Sequence, residues 1–143
     1  MMARFSNDLL IQRPVDAVFA YLSDLENLPR WNYAIRQTRR IGTGPIGVGT
    51  VYRQVRTLPH PMEESLEITE FAPNRRLVIH GGLGVFDGSL TYLLEPTNDA
   101  TRLINEIELT GRGARGALAG IAKHSVKQAV AQNLEVLRNL LER

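Results

Sequence analysis

The sequence predicts an α+β domain in which a curved, seven-stranded antiparallel sheet wraps around one long C-terminal helix, with two short helices between strands 1 and 2. Three observations lead there. After Tyr33, six consecutive segments show strand-like alternation or β-rich composition, with short links rich in Gly, Pro, Asn and Asp between them. From about Ala114 to Arg143 the apolar residues recur at helical spacing. Ahead of the six segments stand one strand and two short helices, so the order is β, α, α, six β, α.

The first strand, "FSNDLLIQRP", stops at Pro14, which also suits the start of a helix. Val15, Val18, Phe19 and Leu22 then share one helical face. Ser23 or Asp24 can N-cap a second short helix, "LENL", which Pro29 is expected to limit. The only tryptophan, Trp31, falls at the junction between this helix and the next strand. The six strands are "YAIRQTRRIG", "GTVYRQVRTL", "MEESLEITEFAP", "RRLVIHGG", "GSLTYLLEP" and "TRLINEIELTG". Their separators, "GTGPIGVG", "PHP", "APN", "GGLGVFDG" and "PTNDA", read as turns. In the tail, Val126, Val130, Leu134, Leu137 and Leu141 form one stripe, which Leu118 and Ala122 extend backwards. Such a helix needs an apolar surface to lie on, and the sheet is the only large one available. A sheet of this size twists and curls. A helix laid in the curl can leave a cavity beneath it.

The 143 residues form one domain, 1–143, with 43% hydrophobic and 22% charged residues and nothing of low complexity. The absence of cysteine excludes disulfides, thiolate metal sites and a cysteine nucleophile. It fits a reducing cytoplasm, the expected location. The first residues, "MMARFSNDLLIQRP", lack the apolar run and cleavage site of a signal peptide, and no apolar run is long enough to span a membrane. A net charge of +2 is a weak argument for nucleic acid, so none is expected as a partner.

Several residues are candidates for a site. Trp31 either lines a cavity mouth or braces the helices against the sheet. Tyr33, Tyr52, Phe71, His80, Phe86 and Tyr92 lie on strands or beside them, where alternation turns some of them inward. Tyr52 and Tyr92 can donate to a ligand carbonyl, and His80 has the pKa range of a general base. If Leu66 and Ile68 face inward, Glu64 and Glu70 share their parity, and Glu64 then needs water or a partner such as Arg53. Arg36, Arg39, Arg40, Arg53 and Arg56 read as cross-strand partners of the "MEESLEITE" glutamates rather than as an anion patch. His60, His80 and His124 are scattered, so neither a metal nor another cofactor is expected. "TGRGARGALAG" lacks the ending of a phosphate loop, and "GGLGVFDG" does not open a helix. Gly111, Gly113 and Gly116 would give the start of the last helix a hinge that admits ligand.

The segments "IQRPVDAVFAYLSDLENLPRW", "GVGTVYR", "ESLEITEFAPNRRLVIH", "GSLTYLLEP" and "ATRLINEIEL", followed by the amphipathic tail, resemble the START-like superfamily with its helix-grip fold. That superfamily includes bacterial polyketide cyclase/dehydrase-like proteins, plant pathogenesis-related allergens and lipid-transfer START domains. The resemblance spans nearly the whole chain; its usual Gly-Thr before the last strand is Ala100-Thr101 here. It implies a cavity between the last helix and the sheet for a small hydrophobic or amphipathic molecule: polyketide-like, lipid or isoprenoid. Trp31, Tyr33, Tyr52, Glu64, Leu66, His80, Phe86, Tyr92, Val126 and Val130 are then the expected lining, in a monomer or homodimer. A second implied reading is a cyclase or dehydratase moving one proton with His80, Tyr52, Tyr92 or Glu64. A third is a protein-interaction or regulatory module using a sheet edge or the arginine face. Fold alone does not choose among them.

Overall fold

The computed structural model describes residues 2–84, 86–110 and 114–143, with side chains described except for Met2 and 114–122. Strand β1 (Met2–Ile11) leads into helix α1 (Val15–Ser23), a single 3₁₀ turn (Leu25–Asn27) and helix α2 (Leu28–Trp31). Strands β2 (Ile35–Ile41), β3 (Val51–Arg56), β4 (Met62–Ala72), β5 (Arg76–Leu83), β6 (Phe86–Thr97) and β7 (Ala100–Thr110) follow, and then helix α3 (Ala114–Glu142). The seven strands form one antiparallel sheet in the order β1-β7-β6-β5-β4-β3-β2. β1 and β2 are therefore the two edges, and the helical segment between them carries the chain from one edge to the other.

Local chemistry explains the ends of these elements. Pro14 occupies the N-cap position of α1, and its carbonyl accepts from Ala17 N and Val18 N at 3.1 Å each. Asp24 caps the 3₁₀ turn by accepting from Glu26 N. Pro29 does not end a helix, as the sequence suggested; it sits in the first turn of α2, where its missing N–H costs nothing.

Alternation along the strands divides core from surface. In β7, Leu103, Asn105, Ile107 and Leu109 are buried, while Arg102 and Glu106 are exposed. On the outer face Arg102 joins Asp8 of β1 and Glu95 of β6, at 2.5 and 3.1 Å, and holds the Asp8 carboxyl below its ordinary range. Bulges interrupt the register between Ile35 and Gln37 and between Ile68 and Glu70. The second one corrects an expectation. Glu64 is buried in parity with Leu66 and Ile68, but the bulge turns Glu70 outward, where it pairs with Arg76 at 2.6 Å.

"GGLGVFDG" is also mostly strand rather than separator. Gly81 pairs with Gly88 across β5 and β6. A Cβ at Gly81 would lie 2.1 Å from Ser65 O, and one at Gly88 would lie 2.0 Å from Glu108 O. These glycines permit a close approach of neighbouring strands and do not serve a turn.

The buried side chains form two clusters. The larger joins α1, the 3₁₀ turn and α2 to the sheet and to Leu134, Leu137 and Leu141 of α3. The smaller holds Ala3, Phe5, Phe86, Ile107 and Leu109, with Val126 and Val130 of α3 packed against it. The C-terminal part of α3 is clamped to the β1–α1 corner. Arg13 Nη1 donates to Leu141 O at 2.8 Å, and Gln12 N donates to Glu142 Oε2 at 2.7 Å. The part nearer its start is held less closely: Val126 and Val130 are half-buried, and Lys123, His124 and Ser125 are exposed. The stripe from Val126 to Leu141 thus faces the sheet as expected, while the Leu118 and Ala122 side chains lie outside the described residues. So do Gly111 and Gly113, and with them the expected hinge; at Gly116 only the helical backbone is described.

Gly88→Ala should destabilise by about 2 kcal/mol, because the colliding atom is backbone and cannot swing aside. Gly47→Ala, with nothing within 4 Å of its added Cβ, should change stability by less than about 0.5 kcal/mol. Urea unfolding of the two variants tests the contrast, and equal stabilities would contradict it.

Candidate functional site

Between the two core clusters lies a cavity of about 720 Å³, a volume suited to a small organic molecule. Its floor is the concave face of the sheet, with Leu66 of β4, Leu90 and Tyr92 of β6, and Ile107 and Leu109 of β7. Val126, Ala129, Val130 and Asn133 of α3 form its roof, and Leu28 and Trp31 of α2 close one end. Tyr33 and Leu58 also line it and are 61% and 46% exposed, so they mark where it meets solvent.

One wall is backed by a polar ladder. Thr38, Gln54 and Glu64 stand opposite one another across β2, β3 and β4. Thr38 Oγ1 donates to Gln54 Oε1 at 3.1 Å, and Gln54 Nε2 donates to Glu64 Oε1 at 2.7 Å. Glu64 Oε2 accepts from Arg56 Nε at 2.9 Å and from the backbone N of Gly84 at 2.7 Å. The side chains of Arg56 and Glu64 are only 13% and 2% exposed, so this is a buried ion pair with its hydrogen bonds met. Gln54, Arg56 and Gly84 line the cavity; Glu64 sits behind them. Arg56 commits Nε to Glu64, and among the described residues its Nη groups have no partner, which leaves them as donors at the cavity wall.

The expected partner of Glu64, Arg53, faces the other way. It pairs with Glu63 at 3.4 Å on the exposed face, because Arg53 and Arg56 have opposite parity. The Arg40 guanidinium is held by the carbonyls of Thr43, Gly44 and Pro45.

Of the residues expected to line a site, the structure brings seven to this cavity: Trp31, Tyr33, Leu66, Phe86, Tyr92, Val126 and Val130. Glu64 reaches it only through Arg56, Gln54 and Gly84. Tyr52 does not line it. Tyr52 points inward but is fully buried in the larger core cluster, and burial, with the Asp24 charge adding to it, raises its pKa. His80 does not line it either. It follows the buried Ile79 in alternation, so it is exposed on the outer face. There it borders a polar groove of about 670 Å³ with His60, Glu63, Glu67 and Asp87, which Glu64 also lines and which shares Leu66, Gly84 and Phe86 with the cavity. Glu64 and His80 thus share the groove, but Tyr52 lines neither space, so the acid–base set of Tyr52, Glu64 and His80 is not assembled around one space.

The cavity also contains polar residues that pattern reading passed over: Gln54, Arg56, Asn105 and Asn133. The signal was present. Asn105 interrupts the Leu103, Ile107, Leu109 stripe of β7, and Asn133 falls between Val130 and Leu137 on the buried face of α3. Burial raises the Tyr92 phenol well above its ordinary pKa, so it stays neutral. Among the described residues no three His, Asp or Glu side chains group as metal ligands, and no helix is long and apolar enough to cross a membrane.

Breaking the buried pair should cost far more than breaking the surface one. Arg56→Ala is expected to destabilise by about 3 kcal/mol, leaving Glu64 without its cation. Arg53→Ala should cost less than about 1 kcal/mol. Denaturant midpoints of the two variants test this; comparable losses would contradict it.

The architecture has many known counterparts. The Zhui aromatase/cyclase from Streptomyces sp. R1128 superimposes with a TM-score of 0.81 at 14% identity, over 100% of this chain and 95% of that one. A START superfamily protein from Mycobacterium smegmatis gives 0.79 at 13% identity, over 97% of both chains. A protein of Thermus thermophilus gives 0.67 at 20% identity, over 98% of this chain and 94% of that one. At such identities the likeness establishes the fold alone. No curated protein matches the chain in sequence. The family model for polyketide cyclase/dehydrase and lipid transport proteins matches residues 2–142. With a helix-grip fold, a cavity under its last helix and a match across nearly its full length, the chain belongs to that family of polyketide cyclase/dehydrase and lipid transport proteins.

Proposed function

We propose that this protein binds a small hydrophobic or amphipathic molecule in the cavity between α3 and the sheet. The observation that carries the reading is the cavity itself: about 720 Å³, walled mainly by apolar side chains, opening beside Tyr33 and Leu58. An apolar body of polyketide, fatty-acyl or isoprenoid type would replace water against Leu66, Ile107, Leu109 and Val130. Arg56 supplies donors to an oxygen of the ligand, and Glu64 fixes its orientation. Binding is favoured over proton-transfer catalysis because Tyr52 and His80 lie off the cavity and the Glu64 carboxylate is taken up by three donors. On this reading the protein works in the cytoplasm as a monomer or homodimer, and the site requires no cofactor.

Trp31, the only tryptophan, lines the cavity and so reports its occupancy. Titration with 8-anilinonaphthalene-1-sulfonate should quench Trp31 emission while dye fluorescence rises. Val130→Phe, which fills the cavity from its roof, should weaken that binding at least about tenfold, a loss of about 1.4 kcal/mol. Dye binding that is indifferent to Val130→Phe would place the probe elsewhere and contradict the reading.

A further inference from the structure

We infer that Asn105 and Tyr92 form a hydroxyl-binding subsite on the cavity floor, so that the ligand is an alcohol or phenol on an otherwise apolar body. The inference rests on the cavity-binding reading above. Asn105 is 1% exposed, lines the cavity and sits among apolar neighbours on the inward face of β7. Its Nδ2 donates to the carbonyl of Thr91 at 3.4 Å. Because that partner is itself an acceptor, the amide nitrogen must face it, and the oxygen is the atom left over. Oδ1 is buried and has no donor among the described residues. A buried acceptor without a donor is a net cost to the fold, and leucine at this position would continue the stripe without that cost.

Tyr92 stands directly opposite Asn105 in the β6–β7 register and lines the same cavity. Opposed residues on one face of a sheet have neighbouring side chains. Burial keeps the Tyr92 phenol neutral, and so a hydrogen-bond donor. The floor therefore carries one acceptor and one donor on paired residues of adjacent strands. A hydroxyl satisfies both, accepting from Tyr92 and donating to Asn105 Oδ1. An ether, ketone or carboxylate has no proton to give and leaves Oδ1 orphaned. A site built this way discriminates against an analogue that lacks the group. Asn133 of α3 lines the cavity from the helix side and adds a second amide to its roof.

The test is displacement of bound 8-anilinonaphthalene-1-sulfonate by 2-naphthol, 2-methoxynaphthalene and 2-methylnaphthalene. The wild-type protein should bind 2-naphthol about tenfold more tightly than either analogue. In Asn105→Leu the preference should fall to near unity while the melting temperature rises; in Tyr92→Phe it should fall in part. Equal affinities for the three compounds in the wild type overturn the subsite alone, without any need for a variant to fold. A preference that survives Asn105→Leu also overturns it. Failure of the wild type to bind the dye or any of the compounds overturns the cavity reading, and the subsite with it.

Discussion

Glu64 lies where three strands and a hairpin turn converge, and its carboxylate accepts from Gln54, Arg56 and the backbone of Gly84. A buried ion pair adds little net stability over an apolar pair of the same shape, because desolvation offsets most of the attraction. What this one does is geometric. The ladder of Thr38, Gln54 and Glu64 is satisfied only in one register of β2, β3 and β4, since a one-residue slip of any of these strands would turn its member outward. The bond to Gly84 ties the β5–β6 turn to the same carboxylate. The wall of the cavity is thus set by a polar network, while its floor and roof are set by apolar packing.

The cavity exists because the core is divided. The C-terminal part of α3 is fixed by Leu134, Leu137 and Leu141 and by hydrogen bonds to Arg13 and Gln12. Farther back along α3 the sheet curls away, and Val126 and Val130 reach the smaller cluster without filling the space between. A helix clamped at one end can roof a space that its side chains do not fill. The close strand contacts at Gly81 and Gly88 lie in the same region of the sheet, where Phe86 reaches the cavity.

Sequence periodicity made the architecture legible, because each element is half-buried and its apolar face repeats. It could assign a side to a residue, but not what lies on that side. Tyr52, Gln54 and Arg56 share one face of β3, at a spacing of about 7 Å for every second residue. Tyr52 is core, whereas Gln54 and Arg56 line the cavity. Only the curvature of the sheet separates these fates, and curvature arises from contacts distant in sequence. The Ile68/Glu70 bulge defeated simple alternation for the same reason, and His80 was misplaced because its strand's parity was not fixed in advance. Trp31 was legible as a junction residue, and the structure gives it both roles considered for it: it packs in the larger cluster and closes the cavity. Asn105 and Asn133 are the instructive cases, since a polar residue inside an apolar stripe is visible in the sequence before any fold is known.

The central claim is that ligand enters the space under α3 and not the polar groove on the outer face. Backbone amide chemical shifts of isotopically labelled protein, recorded while 2-naphthol is titrated in, test it most directly. The account predicts that the largest changes fall on Trp31, Leu90, Tyr92, Ile107 and Val130, which surround the cavity. Changes centred instead on His60, Glu67, His80 and Asp87, around the outer groove, would contradict it.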